Sequence, residues 1–246
     1  MVPLSRLSRL AIIPTAPALY VQGRRLRRDT PRLPDAALPW RGSIPGPNPL
    51  RLLVLGDSTA AGVGSPTQEE ALPGHLGRGI AALTSRGVEW RAIGENGVDA
   101  REFIERYLDD ATAESWDVVF ITLGANDALG LRSRRAFARD IRTILQRVRA
   151  TSPDARMLVS SLPAFFRFEL LPNPLRWNLY LHSRNLEAGA RGVVHAFPGA
   201  HMSPPPPPYT EGFFASDLFH PSPIGYRDWS RFAIEDAVRA GLLGAG

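Results

Sequence analysis

Short apolar runs alternate with longer amphipathic stretches along most of this chain, and this alternation constrains its fold more than any other feature. Continuous apolar runs are typical of parallel strands buried on both faces, and they occupy residues 51–56, 88–94, 117–124, 155–161 and 193–197. Helical patterns lie between or after them, at residues 68–84, 99–108, 134–150, 176–190 and 224–242. This order predicts five parallel strands with helices on both faces of the sheet, joined by right-handed crossovers.

Two details of the predicted helices support this reading. Ser222 and Pro223 supply an N-cap and a first-turn proline for the last helix. The helix at residues 134–150 has apolar side chains at helical spacing, and we assign these to the core: Phe137, Ile141, Ile144, Leu145 and Val148.

The alternating pattern begins near residue 49, so residues 49–246 form the predicted globular domain and residues 1–48 a basic, Pro-rich arm. The chain of 246 residues has a net charge of +5 and contains 29 basic residues, all of them arginine. Eight arginines and two aspartates lie in the arm, so the domain is close to neutral. A basic arm without an aromatic-interleaved basic face elsewhere does not favour nucleic-acid binding.

The apolar part of the arm, residues 10–21, is broken by Pro14 and Pro17 and is shorter than the roughly 20 residues of a spanning helix. No cleavage site of small residues follows it, and the arginines come after it, which favours neither a secretory signal nor export. We interpret the arm as packed on or near the domain of a cytoplasmic protein. Contact with an anionic membrane surface and a remnant of an exported leader are the alternatives, so membrane association, secretion and oligomeric state stay open.

Composition also restricts the chemistry. Without cysteine the chain has no thiol nucleophile, no disulfide and no cysteine-ligated metal. Without lysine it has no Schiff base, no Ser-Lys dyad and no P-loop lysine, so a nucleophile would have to be activated by histidine or a carboxylate. No histidine spacing suggests a metal, and we expect neither a metal nor a cofactor.

Polar motifs follow the first three predicted strands, and another precedes the last helix. They are Gly56-Asp57-Ser58-Thr59, Gly94-Glu95-Asn96-Gly97, Gly124-Ala125-Asn126-Asp127 and Asp217-Leu218-Phe219-His220. Each alone is weak, because such residues also form ordinary turns and helix caps. In open α/β sheets, however, ligands bind at the carboxyl ends of the strands, and a spacing of three lets a carboxylate reach the imidazole.

Together, the order and placement of these motifs over residues 50–243 resemble the SGNH, or GDSL, hydrolase family. The resemblance implies a flavodoxin-like three-layer α/β/α sandwich, with the five-stranded parallel sheet, and hydrolysis of esters or thioesters through an acyl-enzyme. It also implies that Ser58 is the nucleophile, His220 the base and Asp217 its orienting partner. The oxyanion hole would be formed by Ser58, Gly97 and Asn126.

Two assignments within these motifs have alternatives. Gly94 competes with Gly97 for the oxyanion role, and Gly97 is preferred because it directly follows Asn96. Asp57 is expected to brace the turn that carries the serine rather than to take part in the reaction.

The loop at residues 163–174 follows the fourth predicted strand and should border the site. Its aromatic residues Phe165, Phe166 and Phe168 suggest an apolar wall for an acyl chain, and Arg167 could contact a carboxylate or phosphate. Alternatively, the phenylalanines pack as core beneath the next helix. The proline run at residues 204–208 is expected to be a stiff spacer rather than a ligand for a proline-binding module.

We therefore expect a serine esterase that hydrolyses carboxylic esters of small to medium acyl chains, with a small-molecule ester as its substrate. One alternative is a deacetylase or acyltransferase acting on sugar or cell-envelope esters. The other is a catalytically silent scaffold held at a membrane by the arginine arm.

Overall fold

The computed structural model describes residue 8 and residues 12–244. Within these residues, six strands form one sheet in the order β1-β3-β2-β4-β5-β6. All neighbouring pairs are parallel except β1 and β3, which are antiparallel at the edge. The strands are β1 (Arg41–Ile44), β2 (Leu50–Gly56), β3 (Val88–Gly94), β4 (Val118–Thr122), β5 (Arg156–Val159) and β6 (Ala200–Met202).

Helices cover both faces of the sheet. They are α1 (Ala16–Asp29), α2 (Leu72–Thr84), α3 (Ala100–Arg106), α4 (Leu108–Ala111), α5 (Ala125–Leu129), α6 (Arg134–Thr151), α7 (Leu175–His195) and α8 (Pro223–Arg239). Helices α2 and α8 pack on one face, whereas α3, α4, α6 and α7 pack on the other. The result is a three-layer α/β/α sandwich.

The central strands β2 and β4 are apolar along most of their length because both faces of the sheet are covered there. In β2, Leu53 and Leu55 join the core beneath α6 and α7, while Leu52 and Val54 join the core beneath α2 and α8. Successive side chains of a strand point to opposite faces, so a strand buried on both sides needs a continuous apolar run.

The predicted α/β sandwich is confirmed, and five of the six strands are parallel, but the prediction missed the antiparallel edge strand β1 and misplaced the last parallel strand. Residues 193–197 were expected to form a strand, yet Val193 and Val194 belong to the end of α7. They continue the buried face that includes Leu186 and Ala190, at spacings of three and four, as in a helix. The last parallel strand is β6, which has three residues and lies a few positions further along.

The sixth strand, β1, lies inside the segment that sequence analysis assigned to the arm. Its four residues are exposed or half-buried, so they lack the apolar run of a central strand. Gly42 of β1 lies under the indole ring of Trp90, where a Cβ would overlap the ring. The division into an arm at residues 1–48 and a domain at residues 49–246 stays a prediction, although residues 41–44 join the sheet.

The predictions for the helix ends and for the helical core are confirmed. The Ser222 side chain accepts a hydrogen bond from the Gly225 N–H at the start of α8, where Pro223 is the first residue. All five apolar residues assigned to the core of α6 are buried: Phe137, Ile141, Ile144, Leu145 and Val148.

The described part of the arm packs on the domain. On α1, Gln22 donates through Nε2 to the Asn173 carbonyl (2.7 Å), and its Oε1 accepts from the Leu175 N–H (3.2 Å) at the start of α7. Further along, the Ala36 N–H donates to the Ala61 carbonyl over 3.0 Å. Of the described helices, none combines the length and apolar character needed to cross a bilayer.

The packing of α6 against the sheet gives a stability prediction. Leu145 is completely buried, so Leu145→Ala should lower the free energy of unfolding by about 2–5 kcal/mol through lost contacts and a residual cavity. The neighbouring exposed Gln146→Ala serves as the control and should change it by less than about 0.5 kcal/mol. Urea unfolding followed by circular dichroism measures both, and equal effects would contradict the assigned core face.

Candidate active site

Ser58 lies in a tight turn at the carboxyl end of β2. Strand β2 ends at Gly56, where a Cβ would overlap the side chain and carbonyl of Thr122 on the adjacent β4. Glycine is therefore required at that position by close approach of the two strands. The chain then coils at once, with the Ala61 N–H bonded to the Asp57 carbonyl and the Val63 N–H bonded to the Ser58 carbonyl, both at 3.0 Å.

His220 lies between Ser58 and Asp217 and contacts both. Its Nε2 is 3.0 Å from Ser58 Oγ, and its Nδ1 is 2.6 Å from Asp217 Oδ2. Asp217 Oδ1 accepts from the backbone N–H groups of Phe219 and His220, each at 3.0 Å. Leu218 adopts a left-handed conformation with φ of 55°, which lets this short segment turn back on itself.

The hydrogen bonds around Asp217 keep it charged. Burial raises the pKa of the Asp217 carboxyl, but hydrogen bonds from the His220 ring and from the N–H groups of His220 and Phe219 outweigh burial, and the net pKa is lowered. A charged Asp217 accepts a hydrogen bond from His220 Nδ1–H, which leaves Nε2 as the acceptor for the Ser58 hydroxyl. The arrangement has the geometry needed to activate a serine oxygen.

The segment that carries His220 is fixed to the segment that carries Ser58 by backbone contacts. Gly64 has φ of 93° and lies against the Pro221 carbonyl, so closely that a Cβ would overlap it. The buried Tyr226 of α8 donates its hydroxyl to the Val63 carbonyl over 2.7 Å. These two contacts hold the first turn of the serine loop against the start of α8.

Of the other predicted oxyanion donors, Asn126 lies beside the serine turn. Asn126, at the start of α5, donates through Nδ2 to the Val98 carbonyl over 3.0 Å, and Nδ2 is 3.5 Å from Asp57 Oδ2. Gly97, which precedes Val98, is exposed and has φ of 94°. Gly94 is different, because a Cβ there would overlap the Gly56 carbonyl, so Gly94 permits close packing of β3 on β2.

Asp57 links the serine turn to Asn126. Its Oδ1 accepts from both the N–H and the hydroxyl of Thr59, each at 3.1 Å. Burial raises the pKa of Asp57 to about 6, although the bonds from Thr59 and the charge of His220 oppose this shift. The position of Asp57 agrees with a bracing role, which stays a prediction.

An apolar cavity of about 90 Å³ opens beside Ser58 and His220. Loops after β4 and β5 contribute to its wall, as does the segment that precedes His220. The apolar residues that line the cavity are Leu123, Ala125, Leu162, Pro163, Phe168, Pro206, Tyr209, Phe213, Phe214, Phe219, Pro221 and Trp229.

Of the four pocket residues predicted from the loop at 163–174, Phe168 lines this cavity. Phe165 is fully buried and packs against Phe168 and Phe219 from below. Phe166 faces Trp177 and Tyr180. Arg167 donates to the carbonyls of Pro206 (2.5 Å) and Pro207 (2.8 Å), so its guanidinium ties the proline run to the loop.

Most of the aromatic wall was missed by sequence analysis. Tyr209, Phe213 and Phe214 follow the proline run, and their rings contact one another and Phe168. The available signal was the density of aromatic residues just before the motif that contains His220. Trp229 comes from α8, where nothing in the sequence distinguishes it from a core residue.

Three of the four remaining histidines have other contacts. His201 is 2.7 Å from Asp236 Oδ2, the His75 ring is 2.9 Å from Arg78, and His182 Nδ1 is 3.0 Å from Ser8 Oγ. In the part of the chain that the structure describes, no three histidine or acidic side chains are grouped to hold a metal.

Comparisons with known proteins point to the same family from independent directions. The model of the GDSL-like Lipase/Acylhydrolase family matches residues 54–227. A GDSL-like esterase of Mycobacterium tuberculosis is 26% identical over 212 residues, which cover 81% of this chain and 65% of that protein's length.

Two solved structures share the fold. An acetylxylan esterase from Geobacillus stearothermophilus superimposes with a TM-score of 0.56 and 17% identity, over 78% of this chain and 94% of that chain. A phospholipase A1 from Streptomyces albidoflavus has a TM-score of 0.57 and 16% identity, over 76% of this chain and 99% of that chain. At these identities the likeness supports the fold alone.

Asp127, beside Asn126, is buried and lies in a charged cluster. Its Oδ2 accepts from the Ala100 N–H over 3.0 Å, and its Oδ1 is 3.1 Å from Arg132 Nε. Arg132 also contacts Asp99 and Asp140. Burial is the main cause that raises the pKa of Asp127 to about 7, and the nearby acids add to it.

This shift gives a pH-dependent contribution to stability. Between about pH 4 and pH 7, folded Asp127 keeps a proton that the unfolded chain releases, so the free energy of unfolding falls as the pH rises. Asp127→Asn should remove that fall, by as much as about 1.4 kcal/mol per pH unit, while the amide oxygen still accepts from Ala100. Urea unfolding across this range measures it. The exposed Asp154→Asn is the control, and an unchanged slope in Asp127→Asn would refute the assignment.

Proposed function

Because this chain belongs to the GDSL-like lipase/acylhydrolase family, we propose that it is a serine esterase that hydrolyses carboxylic esters through Ser58, His220 and Asp217. The observation that carries the proposal is the continuous path from Asp217 Oδ2 through His220 to Ser58 Oγ, with separations of 2.6 and 3.0 Å. Catalytic acid-base contacts of this kind lie within about 2.6–3.2 Å.

In the proposed reaction, His220 Nε2 takes the hydroxyl proton as Ser58 Oγ attacks the acyl carbon. The protonated imidazole, stabilised by Asp217, then donates that proton to the leaving alkoxide, and an acyl-enzyme forms. Water attacks the acyl carbon next, with His220 again as base, and the carboxylic acid and free Ser58 are the products.

The oxyanion of each tetrahedral intermediate would be held by the N–H groups of Ser58 and Gly97 and by the Asn126 amide. Two features support this assignment. The Asn126 amide already contacts the Val98 carbonyl beside Gly97, and Gly97 has the positive φ of 94° that favours glycine at this position. Fixed donors of this kind stabilise the charge that develops in the transition state.

The cavity beside Ser58 would hold the acyl chain. Its lining is predominantly apolar, and its volume of about 90 Å³ favours small to medium acyl groups. The Phe214 ring contacts those of Phe168 and Phe213, with ring centroids 5.0 and 5.2 Å apart, so this part of the wall is a packed aromatic cluster.

Ser58→Ala tests the nucleophile. It should lower kcat for p-nitrophenyl butyrate by more than about 10³-fold, because the remaining groups cannot form the acyl-enzyme. Asn126→Ala should lower kcat by about 10²–10³-fold, because one oxyanion donor is lost. The exposed Ser43→Ala in β1 is the matched control and should match wild type. A fluorophosphonate that labels Ser58→Ala as well as wild type would contradict the proposal.

Phe168→Ala tests the acyl pocket. Removing one ring from the wall should shift the optimum of a p-nitrophenyl ester series from acetate or butyrate toward longer chains by a few carbons. The comparison variant is Phe197→Ala, outside the cavity. An unchanged chain-length profile would place the acyl group elsewhere. Faster acetate release from acetylated glycans than from aryl esters in wild type would instead favour the sugar deacetylase.

A further inference from the structure

A second cleft borders His220, and of its lining residues only Phe219 and His220 also line the aromatic cavity. Its wall is formed by Asn96 of the loop after β3 and by five residues of the arm: Arg27, Thr30, Pro31, Arg32 and Leu33. Asp217, Phe219 and His220 form its floor. The catalytic histidine is therefore shared by two spaces of different character, one aromatic and one polar and basic.

The arm is held in place on both sides of this cleft. Before it, Gln22 bonds to the segment that begins α7. After it, the N–H groups of Ala36 and Ala37 donate to the carbonyls of Ala61 and Pro66, each over 3.0 Å. Ala36 is buried against this loop, which continues from the serine turn. The segment that carries Arg32 is thus fixed at both ends and passes across the mouth of the site.

The two arginines in the cleft wall are available to pair with a ligand. In the described part of the chain, neither Arg27 nor Arg32 takes part in an ion pair, and both are exposed. By contrast, the adjacent Arg28 is paired with Asp29 at 2.6 Å. Unpaired guanidinium groups beside a cleft are suited to an anionic oxygen group of a ligand.

Among the described residues, none of the acids near the cleft forms an ion pair with Arg27 or Arg32. Asp217 is engaged by His220, and Glu95 is engaged by Arg106 and the Tyr107 hydroxyl. Asp35 interacts electrostatically with His220 and Glu95 but does not line the cleft.

The reaction decides which half of an ester occupies which space. The leaving oxygen must lie next to His220, because the imidazole donates the proton that releases the alcohol. An acyl chain fits the aromatic cavity, so the alcohol would extend past His220 toward the arm.

Resting on the proposed function, we propose that the second cleft receives the alcohol half of the ester and that Arg27 and Arg32 select alcohols bearing an anionic group. Carboxylate and phosphate share the chemistry that the two arginines recognise. The arm would then determine substrate specificity, while the sheet supplies the reacting groups.

The test compares the full chain with Arg27→Gln, Arg32→Gln and the double variant at low ionic strength. The substrates are para-acetoxybenzoate and para-acetoxyphenyl phosphate, which carry an anion on the alcohol half, and methyl para-acetoxybenzoate as the neutral reference. For each variant, the measured quantity is the ratio of kcat/KM for an anionic ester to kcat/KM for the neutral ester. Loss of folded enzyme cancels within this ratio, and the intrinsic reactivity of the esters cancels when the ratios of variant and wild type are compared. The matched control is Arg25→Gln, because Arg25 is exposed, lies on α1 as Arg27 does, and does not line the cleft.

We expect the ratio to fall about threefold for each single variant and about tenfold for the double variant, as for exposed charge pairs. Added salt should reduce the ratio in wild type, and Arg25→Gln should keep the wild-type ratio. A larger effect on the carboxylate or on the phosphate ester identifies which anion the cleft prefers.

Three outcomes would overturn the proposal. Unchanged ratios in the double variant would remove Arg27 and Arg32 from specificity and leave the esterase proposal intact. If the variants instead alter the ratio for monophenyl succinate against phenyl butyrate, the anion belongs to the acyl half and the assignment of the two spaces is wrong. If wild type hydrolyses none of these esters and resists fluorophosphonate, the proposed function itself fails.

Discussion

The contact between Ser58 and His220 joins side chains 162 positions apart in the chain, and the arrangement of the whole site depends on it. A parallel sheet makes such a contact possible, because its strands all end at the same edge and each new strand brings another loop there. Neither residue has the required position by itself. The carboxylate of Asp217 sets the orientation of the imidazole. The close approach of Gly64 to the Pro221 carbonyl and the hydrogen bond from the Tyr226 hydroxyl to the Val63 carbonyl set its distance from the serine.

Much of the fold could be predicted because buried parallel strands impose a simple rule on the sequence. A strand that is covered by helices on both faces shows a run of mostly apolar residues. Such runs made it possible to predict β2 and β3, and also β4 and β5. The rule fails at the edges of the sheet. Strand β1 has only one neighbour and is partly exposed, and β6 has only three residues, so neither shows a long apolar run. Val193 and Val194 do resemble a strand in sequence, but they form the buried end of helix α7.

The candidate site shows the same division between local and long-range information. Asp217 and His220 could be paired from their spacing, since a carboxylate three residues before an imidazole can reach it within one turn. The walls could not be derived in this way. Phe166 and Phe168 are two positions apart in the same loop, yet one faces Tyr180 and the other the cavity, and only the packing of α7 decides between them. Residues 36 and 37 of the arm are held to the loop after Ser58 by backbone hydrogen bonds. Backbone groups are the same in every residue, so no sequence motif in either segment predicts this contact.

The contacts that fix the reacting groups and the surfaces that surround them come from separate stretches of polypeptide. Gly64, Pro221 and Tyr226 tie the serine loop to α8, and none of them belongs to the arm or to the loop at residues 163–174. Substitutions can therefore accumulate in those outer segments without displacing the hydroxyl from the imidazole. Evolution can therefore change which esters such a molecule accepts while the reacting residues stay in place. Sequence divergence among its relatives should be concentrated in the segments that contact the rest of the ester.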